Sequence, residues 1–165
     1  TGFTGSADHT FTGDINLGTG TLNVTGDVVL GANVTVTATP GSGTGIRFRD
    51  AINADNASSN DRTLTLNSGT GSIINVTGTI GNSQPLAGLT ITQSNGTSFA
   101  SNVDVSDSNS GTITLTDTRT ILVLTFLIMS RPIILLLPHK VIILDFLVIP
   151  LLPMQSLSKT PGHYS

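Results

Sequence analysis

Residues 63–81 read TLTLNSGTGSIINVTGTIG, two short apolar-alternating runs broken by Asn-Ser-Gly and followed by Thr-Gly and Gly-Asn steps. In the first run Leu64 and Leu66 share one face and the threonines the other, the two-residue period of a half-buried strand. The breaks are rich in Gly and Asn, which tolerate the positive φ of tight corners. No apolar spacing of three and four residues runs long enough for a helix. The stretch therefore predicts strands of no more than about five residues, with apolar side chains turned inward and hydroxyl-rich bends outside.

The same text precedes and follows it. Strand candidates fall at 15–17, 22–24, 28–30 and 34–36, separated by Gly18-Thr-Gly20, Thr25-Gly-Asp27 and Gly31-Ala-Asn33. Residues 1–12, with Phe3 and Phe11 among Gly, Ser and Thr, read as the tail of a preceding repeat. After the turn at 40–45, Ile46 and Phe48 share a face with Arg47 opposite. Residues 50–62, DAINADNASSNDR, read as a protruding polar loop. Further rungs fall at 86–92, 99–105 and 113–115. Comparable runs begin at Thr63, Leu89 and Ile113, a period of 24 to 26 residues, inside the window of solenoids and other repeat arrays.

Leucine-rich repeats need a fixed Leu/Asn ladder, and propeller blades need longer strands with aromatic markers, whereas aromatics here are 4% of the chain. The expected fold is all-β: a right-handed parallel β-helix, or β-solenoid, over residues 1–118, with an irregular apolar tail over 119–165. In such a coil each strand bonds to its equivalents above and below, and stability comes from neighbour-to-neighbour stacking.

The text TGDVVLGANVTVTATPGSGTGIRFRDAINADNASSNDRTLTLNSGTGSIINVTGTIG, with LAGLTITQSNGTSFASNVDV and GTITLTD after it, resembles the central repeats of filamentous haemagglutinin-like adhesins and related large bacterial surface proteins. The resemblance covers about residues 10–118. It implies a β-helical shaft exported across the Gram-negative envelope, lying outside the cell and carrying no catalytic site. Partners would be surface glycans or proteins of a host or neighbouring cell, met through other parts of the full-length protein. The export signal is expected outside this stretch, because Thr1 is not followed by a basic and then apolar leader.

From Arg119 the composition changes to RTILVLTFLIMSRPIILLLPHKVIILDFLVIPLLPMQSLSKTPGHYS, dense in Leu, Ile and Pro. A spanning helix needs about 20 predominantly apolar residues. Arg131, Pro132, Pro138, His139, Lys140, Asp145, Pro150 and Pro153 cut this stretch into short pieces, so membrane contact is disfavoured. A shift of reading frame accounts for it better. Joining the third base of each codon to the first two of the next turns every Ile into Asn, Asp, His or Tyr, and every Pro into Thr, Ala, Ser or Pro. With third bases free to choose, residues 137–163 then admit TTQSDYIRFLGDSVTTNAVTFKNTGSL, an echo of GIRFRDAINADNASSNDRTLTLNSG at 45–69. Taken as written, the apolar runs would add crude rungs or aggregate.

Net charge is −3 and charged residues are only 10% of the chain, against a typical figure of about 25%, which disfavours electrostatic capture of nucleic acid. With no cysteine, disulfides, thiol catalysis and thiolate metal sites are ruled out. Gly41-Ser-Gly43-Thr-Gly45 has the glycines of a phosphate loop but lacks the Lys-Ser/Thr that would follow, and reads as a turn. Asp50, Asp55 and Asp61 share a loop with Asn53, Asn56 and Asn60, where oxygen ligands could gather calcium. EF-hand spacing and the terminal Glu are missing, so a solvated loop is expected.

Asp104 and Asp107 read as surface residues at a strand end. His9, His139 and His163 are too scattered for a metal triad. The Asn-x-Thr/Ser triplets at Asn23, Asn33, Asn56, Asn75 and Asn95 arise readily in Asn/Thr-rich text and are expected to stay bare. Arg47 and Arg49 share a strand face within reach of an acidic glycan, although a solvated face is the plainer reading. The rival to a shaft is a β-helical carbohydrate-active enzyme, which needs convergent acids. The repeat region has no Glu and, as bases, only Arg47, Arg49 and Arg62, leaving an Asp pair across two coils as the one arrangement that would serve. The reading is therefore of no catalytic residue, no cofactor and no metal.

Overall fold

The computed structural model describes residues 2–55, 62–107, 111–119, 121–123 and 134–135. Among them there is no helix, and every strand pairing is parallel. The strands are β1 (Phe3–Gly5), β2 (His9–Phe11), β3 (Ile15–Asn16), β4 (Leu22–Val24), β5 (Val28–Leu30), β6 (Val34–Thr37) and β7 (Thr44–Phe48). They continue as β8 (Ile52–Ala54), β9 (Thr63–Val76), β10 (Gly88–Phe99), β11 (Thr112–Thr118), β12 (Ile121–Val123) and β13 (Ile134–Leu135).

They wind into a β-solenoid with three faces. On the first, β1, β4, β7, the end of β9, the end of β10 and β12 stack in that order, aligning Phe3, Leu22, Ile46, Ile74, Thr97 and Ile121. The second face stacks β2, β5 and β8 and continues through bridges at Ile80 and Val103. On the third, β3, β6, the start of β9, the start of β10, β11 and β13 align Ile15, Val36, Leu66, Ile91, Leu115 and Leu135. The period expected from Thr63, Leu89 and Ile113 is the observed register: Leu64 pairs with Leu89, and Leu89 with Ile113.

Alternation explains why these residues stack. Along β6, Val34 and Val36 are buried and Thr35 and Thr37 half-exposed; the start of β9 repeats this with Leu64 and Leu66 against Thr63 and Thr65. The inward aliphatics form one continuous column from Leu22 through Ile46, Leu64, Ile74 and Leu89 to Leu115. Each fully buried Leu, Ile or Val is worth about 1.5–3 kcal/mol, and a coil that lost its neighbours would expose its whole inner row.

Three local expectations need correction. First, strands of about five residues hold on the second face, but β9 and β10 run through the corner between the third and first faces without breaking. The bend at Asn67-Ser-Gly69 is made within β9, where Gly69 takes φ 71° and the pairing with β10 slips in register. A neighbouring glycine, Gly71, lies so close to the Gly41 carbonyl of the coil beneath that a Cβ has no room. Second, the stretch 50–62 is not all loop: Ile52 and Ala54 are buried rungs of β8, and Asn53 faces outward between them. Residues 56–61 lie outside the described residues.

Third, the hydroxyl-rich corner is not wholly outside. Ser68, Ser72, Ser94, Thr97 and Thr118 are buried at the bend between the third and first faces. There Ser68 Oγ donates to the Ser72 carbonyl at 2.9 Å, while Ser94 Oγ lies 2.8 Å from Thr97 Oγ1 and donates to Thr118 Oγ1 at 3.2 Å. A tight corner brings small side chains inward, and hydroxyls tolerate that position because they find partners there: Ser68 a carbonyl of its own bend, Ser94 the hydroxyl of Thr97 and, across coils, that of Thr118. The exception is Ser72 Oγ, buried with no partner.

Candidate functional surface

The corners hold the chain's polar chemistry, and most of it joins one coil to the next. Between the first and second faces, Asp8 Oδ1 accepts the Asp27 N–H at 3.1 Å, and Asp27 Oδ1 accepts the Ala51 N–H at 3.0 Å. Between the second and third faces, Asp14 Oδ1 accepts the Thr35 N–H at 2.7 Å and Asn33 Oδ1 the Thr63 N–H at 3.0 Å. Asn53 Oδ1 receives the Ser83 and Gln84 N–H groups at 2.9 and 3.3 Å. A short acceptor one residue before a strand thus satisfies a backbone donor that the turn would otherwise leave unpaired.

Three further acids are also engaged. Asp55 forms the ion pair found among the described residues, taking two hydrogen bonds from Arg62 at 3.0 and 2.7 Å. Those hydrogen bonds push the Arg62 pKa above its ordinary value, against a smaller desolvation effect and with help from the Asp55 charge. Asp104 Oδ1 accepts the Ser106 N–H at 2.9 Å, and Asp117 Oδ2 accepts from Gln93 Nε2 at 3.1 Å.

The residues singled out in the sequence are therefore dispersed. Of the calcium candidates, Asp55 is committed to Arg62 and Asn53 to the backbone of the next coil, while Asn56, Asn60 and Asp61 lie outside the described residues. Among the described residues no group of three or more His, Cys, Asp or Glu is placed to hold a metal ion. Gly41 and Gly43 adopt φ of 86° and 69° in a turn that enters strand β7, not a helix. His9 packs edge-on to Phe3, ring centroids 5.5 Å apart, and lies 6.3 Å from Phe11. His139 and His163 lie outside the described residues. Asp8 and Asp27 stand on adjoining coils, joined by the Asp27 N–H to Asp8 Oδ1 hydrogen bond.

The outward side of the first face differs from the corners. Its central row, in rung-to-rung register, is Thr4, Asn23, Arg47, Asn75 and Ser98. Two residues along, Thr25, Arg49 and Thr77 occupy equivalent positions: each donates its N–H to the carbonyl at the end of the strand beneath, at 2.8 to 2.9 Å. Arg47 Nη2 donates to Thr44 Oγ1 at 3.3 Å, and among the described residues neither Arg47 nor Arg49 pairs with a carboxylate. Comparison with protein-family models, with curated proteins and with solved structures gives no match for this chain, so the coil, its corner ladders and this arginine-bearing face carry the functional reading.

Proposed function

We propose that this chain is a length of shaft from a large bacterial surface adhesin, exported through the Gram-negative outer membrane, which extends binding regions away from the cell and catalyses nothing itself. The observation that carries the reading is the use of the acids. Asp8, Asp14 and Asp27 each accept a backbone N–H from the coil above, so the acids at these corners join coil to coil, as a shaft requires. Stacked coils that bond only to their neighbours make a rod whose length grows by about 4.8 Å per coil, the property a spacer needs. The resemblance of residues 10–118 to filamentous haemagglutinin-like repeats points the same way.

Antibodies raised against the folded chain test this. On intact cells making the full-length protein they are expected to label the outer surface, and external protease is expected to remove the label. Labelling that needs permeabilised cells overturns the reading. The rival, a β-helical carbohydrate-active enzyme, draws on Asp8 and Asp27 standing on adjoining coils. It requires release of reducing ends or unsaturated products from polysaccharides, lost in Asp27→Asn. A membrane anchor would have to lie in residues 121–153, most of them outside the described residues; among the described residues no helix is long and apolar enough to cross a membrane.

A further inference from the structure

The geometry points to a binding site for a carboxylate-bearing polysaccharide, of the uronic acid class, on the outward side of the first face, centred on Arg47 and Arg49. Alternate residues on a strand stand about 6.6 Å apart on one face; Arg47 lies in β7, and Arg49, one residue past its end, continues the stack through its N–H to the Val24 carbonyl. Both are charged at every physiological pH. An unpaired arginine on a flat sheet is ordinary when solvent alone surrounds it; here the immediate neighbours are also organised. Directly above and below Arg47 in register are Asn23 and Asn75, and each buries its Oδ1 without a hydrogen-bond partner.

The flanks of Arg49 are Thr25 and Thr77, whose hydroxyls already donate to carbonyls of the coil beneath: Thr25 to Gly5 at 3.1 Å, Thr77 to Arg49 at 3.1 Å and to Phe48 at 3.4 Å. Those hydroxyls therefore present lone pairs to a ligand, and the charged donors of the site are the two guanidinium groups. The competing acceptor for the Arg47 guanidinium is Thr44 Oγ1, at a long 3.3 Å, which leaves most of the five donors of Arg47 open. A ligand that fits is rich in acceptors, negatively charged and extended along the coil axis. A guanidinium fork matches a planar carboxylate in two parallel hydrogen bonds, and the flanking threonine hydroxyls can accept from sugar hydroxyl groups. Neither Asp27, which accepts the Ala51 N–H, nor Asp50, which follows Arg49 in the chain, forms an ion pair with either arginine.

The test is titration of the intact 165-residue chain with trigalacturonate, followed by amide chemical shifts, beside a sulfated disaccharide and neutral maltotriose. Expected is saturable binding of trigalacturonate with the largest shifts at residues 23–25, 47–49 and 75–77, weakening as salt is raised. Arg47→Ala and Arg49→Ala should each weaken it about tenfold, the worth of a charge-assisted hydrogen bond. Arg47→Lys keeps the charge and the packing of the stem, and should still lose several-fold by losing the planar fork. Thr90→Ala, on the third face, should bind as the parent does. Absence of binding, binding indifferent to Arg47→Ala in a folded variant, or preference for the sulfated or neutral sugar would each overturn the assignment. Binding here does not depend on display at a cell surface, so this proposal and the shaft reading fail in separate experiments.

Discussion

Leu89 stands at the middle of the third face, fully buried between Leu64 of the coil below and Ile113 of the coil above. Leu89→Ala removes three carbons, worth about 2.4 kcal/mol at about 0.8 kcal/mol per buried CH₂. The remaining void has walls on both sides that belong to hydrogen-bonded rungs, so it collapses only in part. A residual 40 Å³ or so adds about 1 kcal/mol at about 24 cal/mol per Å³. The expected loss is about 3.5 kcal/mol, a large share of the roughly 5–15 kcal/mol that holds a domain folded.

Urea unfolding followed by far-ultraviolet circular dichroism measures the loss, with Val29→Ala as control. Val29 faces outward on β5 and is 36% exposed, so its truncation should cost less than about 0.5 kcal/mol. Because coils interact only with their neighbours, hydrogen exchange should accelerate most in β9 and β11, the two strands that pair with β10 around Leu89, and least in β1 and β2. A loss under about 1 kcal/mol, or acceleration that favours β1 and β2 over β9 and β11, would refute both the packing and the nearest-neighbour argument.

Ser72→Ala should stabilise the fold by about 1 kcal/mol, because it removes a buried hydroxyl that has no partner; a fall in the urea midpoint would contradict this. Asp55→Asn should leave the urea midpoint nearly unchanged, since the Arg62 pair is open to solvent and screened by it; a large fall would contradict this. A raised Arg62 pKa stabilises fully below the ordinary arginine value and is lost only when strong alkali titrates the folded group. Arg62→Gln should therefore shift the melting temperature by the same amount throughout the neutral range. In the gene, the frame shifted by one base beyond codon 118 should read as continuous Asn-, Thr- and Gly-rich repeat; a stop codon or unrelated text there would remove the frameshift explanation of residues 119–165.

The apolar alternation of 22–24 and 63–66 was enough to read strands, because one face of each is buried and the other wet. The spacing of Thr63, Leu89 and Ile113 carried the coil period because those coils are nearly equal in length. Elsewhere the period is obscured by unequal corners: 24 residues separate Leu22 from Ile46, 28 separate Ile46 from Ile74, and 23 separate Ile74 from Thr97. That inequality is why the stack of Asn23, Arg47 and Asn75 cannot be found by counting along the chain. Ser68, Ser72 and Ser94 read as corner residues on the outside because a hydroxyl signals a turn equally well on either side of it. Only the inward sense of the bend in β9 and β10 decides their burial. The pairing of Asp55 with Arg62, seven positions apart, has no local signal in either residue.

Through-space proton contacts in solution test the coil most directly. The account predicts parallel, in-register contacts between the backbones of Thr65 and Thr90 and between those of Thr90 and Thr114, repeated on the first face between Asn23 and Arg47. Antiparallel contacts joining sequence neighbours, such as β4 with β5 through a hairpin at Thr25-Gly-Asp27, would contradict it.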